Sequence, residues 1–136
     1  MHNLCPCGSR KVYRLCCYPF ISEKKLAPTA EALMRSRFTA FAKKKNHYLA
    51  ATVAGRAKYE GNSTSAAPHI TWLTLTIHAV HQGTAQDTYG EVRFTATYKE
   101  KYSGSARVQS FEEHSVFEKI SGRWFYVHRF ENSAES

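Results

Sequence analysis

From about residue 70 onward the chain alternates between apolar and polar positions. Leu73, Leu75, Ile77 and Ala79 fall on one face of an extended segment, with Trp72, Thr74, Thr76 and His78 on the other. Val92, Phe94, Ala96 and Tyr98 oppose Glu91, Arg93, Thr95, Thr97 and Lys99. Phe111, Glu113, Ser115 and Phe117 oppose Glu112, His114, Val116 and Glu118. Trp124, Tyr126, His128 and Phe130 oppose Phe125, Val127 and Arg129. Successive side chains of a strand point to opposite faces, so this period of two predicts four strands. Turns are expected at Gln82–Asp87, Tyr102–Ser105 and Ser121–Gly122, and connections this short make antiparallel neighbours.

Before the strands the period lengthens. Ala30, Leu33, Met34, Phe38, Phe41 and Ala42 recur at near-helical spacing over Thr29–Lys43. Thr29 is the expected N-cap, and Glu31 complements the positive end of the helix dipole. Asn46 is expected to cap a second short helix carrying Tyr48, Leu49 and Ala50. Tyr18–Ala27 reads as a linker, and Gly55–Pro68 as a turn-rich loop with a mobile tip at 61–65. Helices followed by a meander predict an α+β domain, its helices packed on one face of a four-stranded antiparallel sheet.

The 136 residues suit one domain with a real core, and 43% hydrophobic content argues against disorder. No apolar run approaches the ~20 residues that span a bilayer, and no apolar leader opens the chain, so a soluble, cytoplasmic protein is expected. The net charge of +8 is unevenly placed. Residues 1–45 hold ten Lys and Arg against Glu23 and Glu31, while residues 46–136 hold nine basic and nine acidic side chains. Such a patch fits an anionic partner (RNA, ribosome, acidic protein or anionic lipid), and it fits equally a solvated cationic surface.

All four cysteines lie within Cys5-Pro6-Cys7-Gly8-Ser9-Arg10-Lys11-Val12-Tyr13-Arg14-Leu15-Cys16-Cys17. Four soft thiolates on one short loop match the tetrahedral S4 preference of Zn2+, and a closed S4 set leaves no open catalytic position. A unit this small has no apolar core, so a metal would supply its folding free energy. A disulfide or redox role is the competing reading, and S4 sites also accept iron. Tyr13, Tyr18 and Phe20 interleave with Arg10, Lys11, Arg14, Lys24 and Lys25. That mixture suits base stacking beside phosphates, although Tyr13 reads first as packing over the cluster.

Cys5-Pro6-Cys7-Gly8-Ser9, a basic loop with Tyr13, then Cys16-Cys17 resembles the SEC-C motif, the zinc-binding tail of the preprotein translocase motor SecA. The resemblance implies one Zn2+ held by Cys5, Cys7, Cys16 and Cys17. The family's usual glycine after the Ser is Arg10 here. Thr29-Ala30-Glu31-Ala32-Leu33-Met34-Arg35-Ser36-Arg37-Phe38-Thr39-Ala40-Phe41 in turn resembles the YchJ family. Tyr48-Leu49, Thr52, Gly90-x-Val92-x-Phe94-x-Ala96-x-Tyr98, Glu113-x-Ser115-x-Phe117 and Gly122-x-Trp124-x-Tyr126-Val127 extend that likeness. It implies a SEC-C knuckle over 1–20. It also implies a nuclear transport factor 2-like (cystatin-like) cone over 28–131, with the sheet curved. Three departures stand out. Thr52-Val53-Ala54-Gly55 replaces a T-W-H-P run, and His128-Arg129 replaces an Asp-Gly, both expected at the cone's rim. The second, C-terminal knuckle of many members is missing from these 136 residues, so a single metal site is expected.

The cone fold encloses a pocket in some enzymes, ketosteroid isomerase among them, but fold alone does not carry function across. If the face bearing Phe94, Phe111 and Phe117 is concave, Glu113 and Ser115 point inward with it. A buried Glu113 needs a partner, for which Arg35 or Arg37 of the covering helix is the candidate. Arg35, Arg37, Tyr98, Glu113 and Ser115 are thus the candidate pocket residues, holding either a ligand-binding carboxylate or a structural link from helix to sheet. His114 lies on the opposite face from Glu113, and His47, His69, His78, His81 and His128 read as surface or rim residues. The sequence contains no Gly-rich phosphate loop and no H-E-x-x-H, so no catalytic residue is assigned. The expected function is a zinc-binding adaptor. It would dock through Arg10, Lys11 and Arg14 to a protein partner or to the ribosome or secretion machinery. The alternatives are a small-molecule binder or enzyme using the cone, and a nucleic-acid binder using the basic half.

Overall fold

A computed structural model describes residues 3–61, 64–101 and 107–130. Among the described residues a 3-10 turn, Tyr13–Leu15, precedes four α-helices: α1 (Tyr18–Ile21), α2 (Ala30–Lys43), α3 (Asn46–Ala51) and α4 (Gly55–Glu60). Four strands follow, β1 (Ile70–Gln82), β2 (Tyr89–Glu100), β3 (Val108–Ile120) and β4 (Arg123–Arg129), and form one antiparallel sheet in the order β1-β2-β3-β4. The meander expected from the alternation is therefore present, with helices packed against an open sheet. The expected turn at Tyr102–Ser105 and positions 62–63 of the expected loop tip lie outside the described residues.

The organising element is α2. The Thr29 hydroxyl caps it by accepting from the Ala32 amide at 3.0 Å, and Lys44 ends it in the left-handed conformation. Both of its long sides are covered. Leu33, Met34 and Phe38 join Leu49, Val92, Phe94, Phe117 and Trp124 in the core, while Thr39 reaches the cysteine cluster. Its N-terminus rests on the β1–β2 hairpin, where the Ala30 amide donates to the Gly83 carbonyl at 2.9 Å. That approach needs two glycines. A Cβ on Gly90 would lie 2.6 Å from Gly83 Cα, and one on Gly83 would lie 2.7 Å from the Ala30 Cβ.

Several local expectations change. The linker after the cysteines starts as a helix, α1, because Cys17 accepts from both Phe20 and Ile21 amides. Gly55–Pro68 is not all loop, since α4 occupies its first part, with Gly55 at φ +58° and Ala57 buried. Lys45, not Asn46, is the N-cap of α3, and the Asn46 Oδ1 accepts instead from the Ala66 amide at 2.8 Å.

The strands also carry irregularities that simple alternation does not contain. Trp72 pairs with Tyr98 and Thr74 with Thr97, so Leu73 is an extra residue and Trp72 shares the inner face with Leu75 and Ile77. A second shift at His78 moves Ala79 to the outer face opposite Arg93. On β4, Tyr126 pairs with Phe117 but His128 pairs with Val116, so Val127 is the extra residue. Beyond it Arg129 stands opposite Ser115 on the inner face, and His128 leaves the face it was expected to share with Trp124 and Tyr126. Bulges of this kind re-aim side chains and bend the strand.

Candidate metal centre and the cavity of the cone

The knuckle is a miniature hairpin folded back on a turn. Leu4 bridges Val12, and the Cys5 amide donates to the Lys11 carbonyl at 2.8 Å, which places Cys5 and Cys7 on one arm. Arg10 holds φ +72° at its tip, in the left-handed region that favours glycine. The Tyr13–Leu15 turn then carries the chain back, with the Cys16 amide donating to the Tyr13 carbonyl at 3.0 Å.

All four sulfurs lie within 4.8 Å of one another. Cys7 Sγ is 3.6 Å from Cys16 Sγ, and Cys16 Sγ is 4.0 Å from Cys17 Sγ. A disulfide needs about 2.05 Å. These spacings instead match the roughly 3.8 Å edge of a sulfur tetrahedron built with ~2.3 Å metal–sulfur bonds. All four cysteines are free thiols, three of them buried. Their acid–base behaviour shows what a cation would do. Hydrogen bonds from Cys17 and then Cys5 push the Cys7 thiol far down, so one thiolate forms readily. Cys17 is pushed up by its hydrogen bonds to Cys5 and Cys7 and by burial, and Cys16 rises to about 11, chiefly through burial. A first thiolate thus opposes the next, and a dication removes that opposition. The donor set fits a metal ion. Two hydroxyls supply an outer shell: Thr39 Oγ1 lies 3.5 Å from both Cys5 Sγ and Cys17 Sγ, and Ser9 Oγ lies 3.1 Å from Cys16 Sγ.

Arg35 fastens the knuckle to α2. Its Nη1 donates to the Cys7 carbonyl at 2.6 Å, and its Nε to Glu31 at 2.9 Å. Burial opposes the charge on Arg35, but the interactions with Glu31 and Cys7 outweigh it and raise its pKa. Lys43 sits 4.3 Å over the Tyr13 ring, and Tyr13 meets Tyr18 edge to face, so Tyr13 packs between knuckle and helix. Arg10, Lys11 and Arg14 are exposed on the outer side.

A cavity of about 600 Å³ opens between the helices and the sheet. Its apolar wall is Phe38 and Phe41 of α2 with Trp72, Phe94 and Phe111 of the sheet. Its polar end is Arg37, Glu113, Ser115, Tyr126 and Arg129, and the exposed Arg56 and Glu60 stand at the open side. Arg37 is only 3% exposed. It donates to the Leu49 carbonyl at 3.0 Å and the Thr52 hydroxyl at 2.6 Å, and its guanidinium packs against the rings of Phe41 and Tyr126. Burial lowers its pKa to about 10, against the pull of Tyr126, Tyr48 and Glu113, so it stays charged at neutral pH. Glu113 Oε2 accepts from Ser115 at 2.6 Å and Tyr126 at 3.0 Å, and Oε1 faces Arg129 at 3.8 Å.

Of the pocket residues expected from sequence, Arg37, Glu113 and Ser115 line this cavity together. Arg35 is turned to the knuckle, and Tyr98 stacks behind the wall on Trp72 and Phe111. Arg129 escaped the sequence reading because only the Val127 bulge brings it inward. His114 lies on the outer face and bonds Glu91 at 2.7 Å, not Glu113. The two departures at Thr52–Gly55 and His128–Arg129 converge here. Thr52 and Ala54 bracket Tyr126 with backbone hydrogen bonds, and Arg56 and Arg129 flank the opening.

Comparison with known proteins agrees with both halves. Residues 3–19 match the SEC-C motif, and residues 29–129 match the family described as YchJ, middle NTF2-like domain. The solution structure of a SEC-C motif containing protein from Rhodopseudomonas palustris is 28% identical. It superposes with a TM-score of 0.78 over 93% of this chain and 97% of that one. The crystal structure of a SEC-C motif containing protein from Psychrobacter arcticus is 23% identical, with a TM-score of 0.71 over 91% of this chain and 80% of the other, a likeness of fold alone. With residues 29–129 matched to the middle domain behind a four-cysteine knuckle, the chain belongs to the YchJ family.

Proposed function

We propose that the knuckle holds one Zn2+ through Cys5, Cys7, Cys16 and Cys17, and that the protein is an adaptor which docks by this rigid head onto an acidic protein surface. One observation carries the reading: the knuckle's outward side joins bare cations to bare apolar side chains. Arg10, Lys11 and Arg14 are exposed, and no ion pair engages them among the described residues. Leu15 beside them is 79% exposed and Leu4 58%. Cationic side chains around an apolar contact suit an acidic partner with an apolar centre. A closed S4 site supports a structural role for the metal, which makes the head rigid. The test is the triple variant Arg10→Glu, Lys11→Glu, Arg14→Glu. It is expected to keep its metal and its melting temperature while losing the proteins that the wild type captures. Equal capture by both contradicts the adaptor. Capture abolished by nuclease, with steep salt dependence, assigns the basic side to nucleic acid instead.

A second reading has its own observation. The cavity of about 600 Å³ falls within the range of small-molecule sites and joins an aromatic wall to convergent polar groups. It supports ligand binding in the cone, independently of what the knuckle docks to.

A further inference from the structure

The polar end of the cavity has an uneven supply of donors and acceptors. Arg37 is engaged by the Leu49 carbonyl and the Thr52 hydroxyl and is packed between two rings. The Ser115 and Tyr126 hydroxyls both spend their protons on the same carboxylate oxygen, Glu113 Oε2. The other oxygen, Oε1, has Arg129 at 3.8 Å, which is beyond hydrogen-bond distance, and no closer partner among the described residues. The Glu113 side chain is nonetheless only 15% exposed. What lies inside the cavity is therefore a carboxylate oxygen with open acceptor sites, flanked by hydroxyls that keep only acceptor lone pairs.

The wall beside it is aromatic. Phe94 pairs directly with Glu113 across the sheet, and Phe111 precedes Glu113 by two residues on the same face. Trp72 meets Phe111 at 5.9 Å and Phe38 at 6.0 Å between ring centroids, closing the far end. Rings line the space and an acceptor waits at one side. Charges of both signs line the cavity, Arg37, Arg56 and Arg129 with Glu60 and Glu113, so an ionised ligand of either sign meets a like charge, and the open acceptor on Glu113 rewards a ligand that brings a donor.

Resting on the reading that the cone binds a ligand, we infer the ligand's class: a compact, uncharged ring compound bearing a hydroxyl or N–H donor. It lays its rings on Trp72, Phe94 and Phe111 and donates one hydrogen bond to Glu113 Oε1. Arg129 at the opening is the movable neighbour that the donor displaces from the carboxylate.

A matched pair of probes tests this. Indole and 1-benzothiophene share a bicyclic frame and differ by one N–H donor, and the indole nitrogen, its lone pair in the ring, does not accept. Each is titrated into the full chain, followed by NMR at the Trp72 indole N–H. Indole is expected to bind at least about fivefold more tightly, the scale of a hydrogen bond to a charged acceptor less its desolvation. In Glu113→Gln the side-chain carbonyl must serve Ser115 and Tyr126, which turns an NH2 toward the ligand. The preference for indole, which offers that NH2 no acceptor, is then expected to vanish. Equal affinity of the two probes for the wild type, a comparison that needs no variant, overturns the donor class while leaving the cavity a ligand site. No shift of the Trp72 resonance with either probe overturns the ligand site itself. A preference that survives in folded Glu113→Gln overturns the assignment to Glu113.

Discussion

At the scale of single residues, the knuckle makes a compromise at its tip. Arg10 occupies a left-handed backbone position where a side chain costs about 1 kcal/mol, and the same side chain belongs to the exposed basic surface. Arg10→Gly is expected to stabilise the protein by about 1 kcal/mol in chemical unfolding and to weaken partner capture, so stability and docking move in opposite directions. Thr39 lies the other way, behind the sulfurs. Thr39→Val keeps the shape and removes the hydroxyl from Cys5 and Cys17, and is expected to lower metal affinity about tenfold in competition with a chromophoric chelator. Tyr48 sets a limit at high pH. Burial raises its pKa to about 12 in the folded chain, against roughly 10 when unfolded. Its contribution is whole below pH ~10 and is lost as pH rises toward 12, so the unfolding midpoint is expected to fall across that window.

At the scale of elements, Gly90 marks where two of them meet. Gly90→Ala puts a methyl 2.6 Å from the Gly83 backbone and 2.9 Å from the Ala30 Cβ, and is expected to destabilise by about 2 kcal/mol in urea unfolding. The elements also show what a sequence discloses and what it withholds. The alternation of Val92, Phe94 and Ala96 was legible because burial repeats on every second residue. The Leu73, His78 and Val127 bulges were not, because an inserted residue answers to the coiling of the whole sheet. Thr29 announced the start of α2 through its own side chain, whereas α4 has no capping side chain and is held by packing along β4. The cysteine cluster could be read from spacing alone, since all four cysteines fall within one short loop. The cavity could not, because its volume depends on where Phe38, Phe111 and Trp72 stop short of one another, and its inward Arg129 depends on a bulge.

At the scale of the molecule, the knuckle is not a loosely tethered bead. Cys5, Cys7 and Cys17 belong to the same buried cluster as Leu33, Phe38 and Val92, and Arg35 ties the Cys7 carbonyl to α2. Metal and cone should therefore unfold together. Stripping the metal with a strong chelator is expected to lower the melting temperature of the sheet as well as the knuckle, because binding free energy at such a site is folding free energy. A sheet transition unmoved by chelation would mean that the two halves are energetically separate.

The central claim is that four thiolates hold one structural zinc ion in the head. Native mass spectrometry of the purified chain, with elemental analysis of the same sample, tests it directly. The account predicts one zinc per chain, with all four cysteines unreactive to alkylation until the metal is removed. A metal-free chain whose cysteines are oxidised or freely alkylated would contradict it and make the knuckle a redox site.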